Sequence, residues 1–203
     1  GTGSAISFGN QTTVGSYTVV ATNATTGCIN SMFGSVAIST NPLPTVFTVT
    51  GGGSYCSGGT GVHIGLSNSQ GGVTYKLLKS GLTIGSMAGT GAAIDFGLCT
   101  VPGTYTVVAT TGGGCVLSMS GSATVIVNPL PTITGAIYTV APGASITLVG
   151  TPSGGTWSSS STGVATVGAS TGIVTGVSLG SVVISYTATT GCASGHVINV
   201  TST

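Results

Sequence analysis

The sequence predicts an all-β fold of tandem antiparallel β-sandwiches, the first of them incomplete. Three observations carry this. The apolar residues are mainly Val, Ile, Ala and Leu, set among Thr, Ser and 37 glycines. β-branched side chains suit the pleated strand, and Gly, Asn and Pro punctuate turns. Apolar and polar residues then alternate with period two in short runs, as in strands with one buried face. Finally, the chain repeats itself. Gly1–Gly9 matches Gly89–Gly97, and Tyr17–Thr22 recurs unchanged as Tyr105–Thr110, both at an offset of 88. Cys28 matches Cys115, and Asn41-Pro-Leu-Pro44 matches Asn128-Pro-Leu-Pro131, at an offset of 87. One residue is therefore lost between them, near Gly112–Gly114.

The two Asn-Pro-Leu-Pro segments read as short semi-rigid joints, because Pro cannot donate to a sheet and stiffens the backbone. They divide the chain into residues 1–41, 42–128 and 129–203. Residues 1–41 align with 89–131 and are the second half of a repeat. Strands are expected there near Ala5–Phe8, Gly15–Thr22 and Ser31–Ser39. Residues 42–128 form one complete repeat, with strands near Thr45–Thr50, Gly61–Ser67, Val73–Lys79, Leu82–Ser86, Ala92–Phe96, Gly103–Thr110 and Ser118–Val127. Seven short strands at this spacing suggest a Greek-key sandwich. Tyr105, Val107 and Ala109 share one face, which is assigned to the core. In residues 129–203, Val182, Ile184, Tyr186 and Ala188 alternate with Val183, Ser185 and Thr187. Tyr186 thus joins the core, and the single Trp157, on the third expected strand, fills the space between the sheets.

Charge is almost absent. Only Lys76, Lys79 and Asp95 carry it, whereas a soluble domain usually has about a quarter of its residues charged. This excludes most chemistry. Asp95 is the only carboxylate, and general acid–base work needs two titratable groups in reach. Its counterpart in the first repeat is Ser7. One Asp does not make a calcium site. His63 and His196 lie on strands of different units, without metal-binding company. The five cysteines are too far apart for a zinc site. No Gly-x-Ser-x-Gly elbow and no phosphate-binding glycine fingerprint is present. Two lysines are too few for nucleic acid. No uninterrupted apolar run reaches about 18 residues, so no membrane span is expected. No leader pattern opens the chain, so an export signal would lie upstream of Gly1. Three sequons, at Asn10, Asn23 and Asn199, are accounted for by the abundance of Thr.

Two motif strings resemble known families. Gly154-Gly-Thr-Trp-Ser-Ser-Ser160, Gly163-Val-Ala-Thr-Val167, Gly172–Ser178 and Ile184-Ser-Tyr-Thr187 resemble the bacterial Ig-like domain, group 2. Tyr55-Cys-Ser-Gly-Gly59, Gly103–Thr110 and the closing Asn-Pro-Leu-Pro are similar to the tandem Ig-like repeats of giant secreted surface proteins of Bacteroidota. The resemblance implies stalks of adhesins and surface filaments. In an Ig-like sandwich the second and sixth strands come close. Cys56 precedes one and Cys115 follows the other, so a Cys56–Cys115 disulfide is expected, and with it an oxidising compartment. Cys99 corresponds to Gln11 and is an extra. The last unit lacks a cysteine near residues 138–141, where such repeats carry one. Cys192, like Cys28, then has no partner within the chain and is assigned to intermolecular contact.

The expected role is an extracellular structural repeat segment that builds a stalk or filament of a bacterial surface appendage. Its partners would be other copies of itself or adjacent repeats of the same polypeptide. The alternative is an adhesin module that binds surface glycans or another surface. No enzyme activity, cofactor, metal or nucleic acid is expected. Residues 1–41 lack the counterpart of 42–88, which supplies about four of the seven strands. A half-sandwich exposes an apolar face and bare strand edges, which invite pairing.

Overall fold

The computed structural model describes residues 1–135 and 137–202. Among them there is no helix, and the strands form tandem sandwiches with the first incomplete. The first segment holds four three-residue strands: β1 (Gly15–Tyr17), β2 (Val20–Thr22), β3 (Ile29–Ser31) and β4 (Val36–Ile38). β1 pairs with β4 and β2 with β3, both antiparallel.

The middle sandwich comprises β5 (Val49–Gly51), β6 (Gly53–Cys56), β7 (Val62–Leu66), β8 (Val73–Lys79), β9 (Leu82–Ala88), β10 (Ile94–Cys99), β11 (Gly103–Thr111), β12 (Val116–Ser118) and β13 (Ala123–Asn128). One sheet runs β10-β7-β5. The other runs β6-β13-β11-β8-β9, with β12 continuing on β11. Val49, Ile64, Leu66 and Ile94 of the first sheet meet Tyr75, Leu77, Tyr105, Val107, Ala109 and Val125 of the second in a buried core. Each such side chain contributes roughly 1.5–3 kcal/mol on burial. The β8–β9 hairpin turns on Ser80-Gly81, both at positive φ (50° and 80°), the mirror-image turn that matches strand twist.

Several elements differ from the sequence expectation, for physical reasons. The run Ser118–Val127 splits into β12 and β13 because Ser120 leaves the sheet. Its carbonyl accepts from the Val49 amide and its amide donates to the Phe47 carbonyl, at 2.8 and 2.9 Å. The Ser31–Ser39 run splits at the matching place, and the Gly15–Thr22 run divides at Thr18–Val19, where its counterpart β11 stays continuous. β6 was not foreseen. Gly51, Gly52 and Gly53, all at positive φ, carry the chain from one sheet to the other, where β6 pairs parallel with β13. A Cβ on Gly52 would lie 2.7 Å from the Thr124 carbonyl oxygen, so the crossing needs glycine. No strand forms at Ala5–Phe8. Its counterpart β10 pairs only with β7, and the first segment has no β7.

The last sandwich comprises β14 (Thr132–Gly135), β15 (Thr139–Val140), β16 (Ser145–Thr151), β17 (Thr156–Ser159), β18 (Ala165–Val167), β19 (Ile173–Gly176), β20 (Gly180–Thr187) and β21 (Ala193–Val200). Its sheets run β14-β16-β19-β18 and β15-β21-β20-β17. Trp157 and Tyr186 are buried together with ring centroids 4.7 Å apart. The Tyr186 hydroxyl donates to the Pro152 carbonyl at 2.6 Å and accepts from the Gly155 amide at 2.8 Å.

The disulfide expectation is corrected. Cys56 bonds to Cys192, with Cα atoms 5.5 Å apart, while Cys28, Cys99 and Cys115 are free. Cys56 ends β6 opposite Asn128, at the pole where the chain leaves for the last sandwich. Cys115 follows β11, which runs antiparallel to β13, so it sits at the other pole. The nine residues of β11 separate the poles by roughly 26 Å at about 3.3 Å per residue, far beyond disulfide reach. The second and sixth expected strands, β7 and β11, lie in different sheets, and Cys56 and Cys115 sit at opposite poles of the sandwich. Cys192 is therefore an internal partner, fully buried, and not an intermolecular one.

Candidate interaction surface

The first segment keeps the geometry of β11–β13 without the strands that cover it. Gly15 pairs with Ile38 and Tyr17 with Val36, as Gly103 pairs with Val125 and Tyr105 with Ala123. Val20 pairs with Ser31 and Thr22 with Ile29, as Val108 pairs with Ser118 and Thr110 with Val116. The Tyr17 hydroxyl donates to the Thr13 carbonyl at 2.8 Å, matching Tyr105 to Val101 at 2.6 Å. This tyrosine corner fixes the entry of the strand. The turn that follows closes from Asn23 to Cys28 in one copy and from Thr111 to Cys115 in the other, which places the lost residue in that turn.

What differs is the covering. In the middle sandwich β8 pairs with β11 from Tyr105 to Thr111, and β6 pairs with β13. Among the described residues nothing pairs with the corresponding edges of β1–β2 and β4. The apolar face is bare. Val107 is 0% exposed but its counterpart Val19 is 40% exposed; Ile94 is 5% and its counterpart Ile6 is 64% exposed. Phe8, Tyr17, Val19, Val20, Val36 and Ile38 line a cleft of about 510 Å³. No Lys, Arg, Asp or Glu falls in residues 1–41, so the surface offers shape, apolar area and backbone hydrogen bonds rather than charge.

The other candidate residues do not assemble a site. Asp95 and His63 come together on adjacent strands, with Oδ2 to Nδ1 at 2.6 Å, on the exposed face of the small sheet. The Gly97 amide, donating to Asp95 Oδ1 at 2.8 Å, chiefly holds the carboxyl below its ordinary range, with His63 adding to it. No serine hydroxyl is hydrogen-bonded to this pair among the described residues. His196 packs on Tyr138, ring centroids 3.9 Å apart. Burial raises the Cys99 thiol and the Tyr105 phenol. Among the described residues no cluster of His, Cys, Asp or Glu could hold a metal ion.

Comparison with solved structures fits this architecture. The C-terminal 282-residue fragment of intimin, in complex with the intimin-binding domain of its translocated receptor, is 16% identical with a TM-score of 0.51, covering 77% of this chain and 64% of that one. Invasin, a bacterial integrin-binding protein, is 16% identical with a TM-score of 0.52, covering 93% of this chain and 46% of that one. The fold is a tandem Ig-like β-sandwich. At this identity the likeness shows the fold alone, and the chain spans under two thirds of either protein. No family model and no curated protein matches the chain.

The sequence itself carries a signal for the place of Cys192. Ala24-Thr-Thr-Gly-Cys28 recurs as Ala188-Thr-Thr-Gly-Cys192. In space the turns before Cys28, Cys115 and Cys192 are equivalent: the Ala188 amide donates to the Cys192 carbonyl as the Thr111 amide does to that of Cys115.

Proposed function

We propose that the chain is a structural repeat segment of an extracellular bacterial surface appendage, divided at its Asn-Pro-Leu-Pro joints into units 1–41, 42–128 and 129–203. The last unit is of the group 2 Ig-like type, and the source is a large secreted surface protein of Bacteroidota. The segment works by packing against adjacent repeats or other copies of itself, and it is not an enzyme. The single observation that supports this most is the repeat itself: residues 1–41 keep the strand register of the middle unit. Repeats in tandem pack against one another and cover one another's edges. The disulfide supports an oxidising compartment. Negative-stain microscopy and sedimentation of the 1–203 chain test the reading. Assembly through the first segment is expected. A stable monomer in dilute buffer, with the amides of residues 15–22 protected from hydrogen exchange, refutes it.

A second reading, an adhesive module for a protein receptor or surface glycan, draws support from intimin and invasin, which are binding proteins by description. Saturable binding of the monomer to a glycan array would favour it.

A further inference from the structure

Resting on the reading above, the geometry points to a specific occupant for the open edge of β4, and to a covalent bond that it makes. We propose that β4 takes a parallel strand of the Gly53–Cys56 type, ending in a cysteine opposite Asn41, and that this cysteine forms a disulfide with Cys115.

The template is the next joint of the same chain. There β6 pairs parallel with β13, Val125 to Gly53 through Asn128 to Cys56. Cys56 reaches across the joint to Cys192, which ends the turn after β20 in the following sandwich. At the earlier joint every element of this arrangement is present except the strand itself. β4 is the counterpart of β13, with Ile38 at the place of Val125 and Asn41 at the place of Asn128. Cys115 ends the turn after β11, as Cys192 ends the turn after β20. The two sides already touch: the Cys115 thiol donates to the Asn41 carbonyl at 3.5 Å, and Asn41 Nδ2 donates to the Gly113 carbonyl at 3.2 Å. A residue paired with Asn41 on the outer edge of β4 therefore stands beside Cys115. Cys115 is free and partly exposed.

The occupant is a polypeptide segment equivalent to residues 42–88, the half of the repeat that residues 1–41 lack. A second copy of this chain does not supply it in the structure described, because its own 42–88 already closes its middle sandwich and its Cys56 is bonded to Cys192. Bond formation removes two protons and two electrons from the two thiols. A small disulfide such as oxidised glutathione accepts them by thiol–disulfide exchange and leaves as two thiols. Cys28, in the same turn position one repeat earlier, would receive the same kind of bond from the unit before. β15 (Thr139–Val140) carries no cysteine and offers no bond of this kind.

The test places a second copy of residues 42–88 directly before Gly1 of the full chain, where the repeat puts it. The protein is oxidised in a glutathione buffer and mapped by peptide mass spectrometry. The expected result is a bond from the added cysteine to Cys115, with Cys56–Cys192 retained and Cys28 and Cys99 free. Amides of residues 15–22 should become at least 100-fold slower to exchange. An added cysteine that stays free, or that bonds Cys28 or Cys99, overturns the proposal. If the amides are protected while that cysteine stays unbonded, the disulfide is wrong and completion of the sandwich stands. If the amides stay unprotected, both fall. The unmodified chain, oxidised alone, should show no Cys115-linked dimer, and finding one also overturns the proposal.

Discussion

Removing the Cys56–Cys192 bond should destabilise the last sandwich selectively, and the structure sets the size of the effect. Consider Cys56→Ser. Cys192 remains as a buried thiol, which packs as a small apolar group, so the core of the last sandwich is undisturbed. When that sandwich unfolds while the middle one stays intact, Cys56 is held on β6. The bond then closes a loop of about 64 residues from the end of β13 to Cys192, for which the chain-entropy relation gives about 4 kcal/mol. At a urea slope of about 1–2 kcal/mol per molar for so small a domain, the midpoint should fall by about 2–4 M. Trp157 is the only tryptophan and is buried in the last sandwich, so its fluorescence reports that unit alone. Wild type in dithiothreitol should behave like the variant. A midpoint that moves by less than about 0.5 M in both cases would refute the staple as a stabiliser of the last sandwich.

Two further outcomes follow from the same comparisons. Ile94→Ala should cost about 2–5 kcal/mol in a denaturant melt, because Ile94 is in the middle core. Its counterpart Ile6→Ala should stay within about 0.5 kcal/mol in the chain alone, because Ile6 is exposed. Asp95 has a lowered folded-state pKa, set first by the Gly97 amide. Its contribution is therefore present above the ordinary carboxylate range and is lost as pH falls through the lowered value. Asp95→Asn should flatten the acid limb of the urea midpoint measured against pH, and an unchanged limb would count against the assignment.

Most of the fold was legible because its causes are local. Period-two runs, glycine turns and the repeat located β8 at Val73–Lys79 to the residue and β11 to within one. The misses have a common cause: they depend on which strand lies alongside. β6 is short, glycine-led and parallel, so it carries no alternation to read. The run 118–127 breaks at Ser120 because Phe47 and Val49, more than 70 residues away, claim its backbone. The cysteine pairing failed for the same reason. The pole at which each cysteine sits is not readable from strand order, since it depends on β6 and its parallel pairing with β13. The bare face of residues 1–41 was readable because the repeat supplied its own control: identical residues, covered in one copy and uncovered in the other.

The staple also changes how the chain bears tension, which matters for a stalk. Pulling from the two ends of residues 1–203 loads the first segment and then enters the middle sandwich. With the Cys56–Cys192 bond closed, force passes from Cys56 straight to Cys192, and the chain between them, a sequence separation of 136, cannot extend. At about 3.5 Å per extended residue, the bond withholds roughly 48 nm of contour length. It also bypasses the Asn128–Pro131 joint, so the strands from β7 to β20 sit inside the closed loop, while β5 and β6 on one side and β21 on the other still bear the load. What remains free to stretch is the segment before Cys56, which includes the half-sandwich with the least core, and the short end after Cys192. Single-molecule extension should therefore show a contour length shorter by about 48 nm in oxidised than in reduced protein, with the length held between the two cysteines released only after reduction. Equal contour lengths in the two states would show that the bond does not carry the load, and the stalk reading would lose its mechanical support.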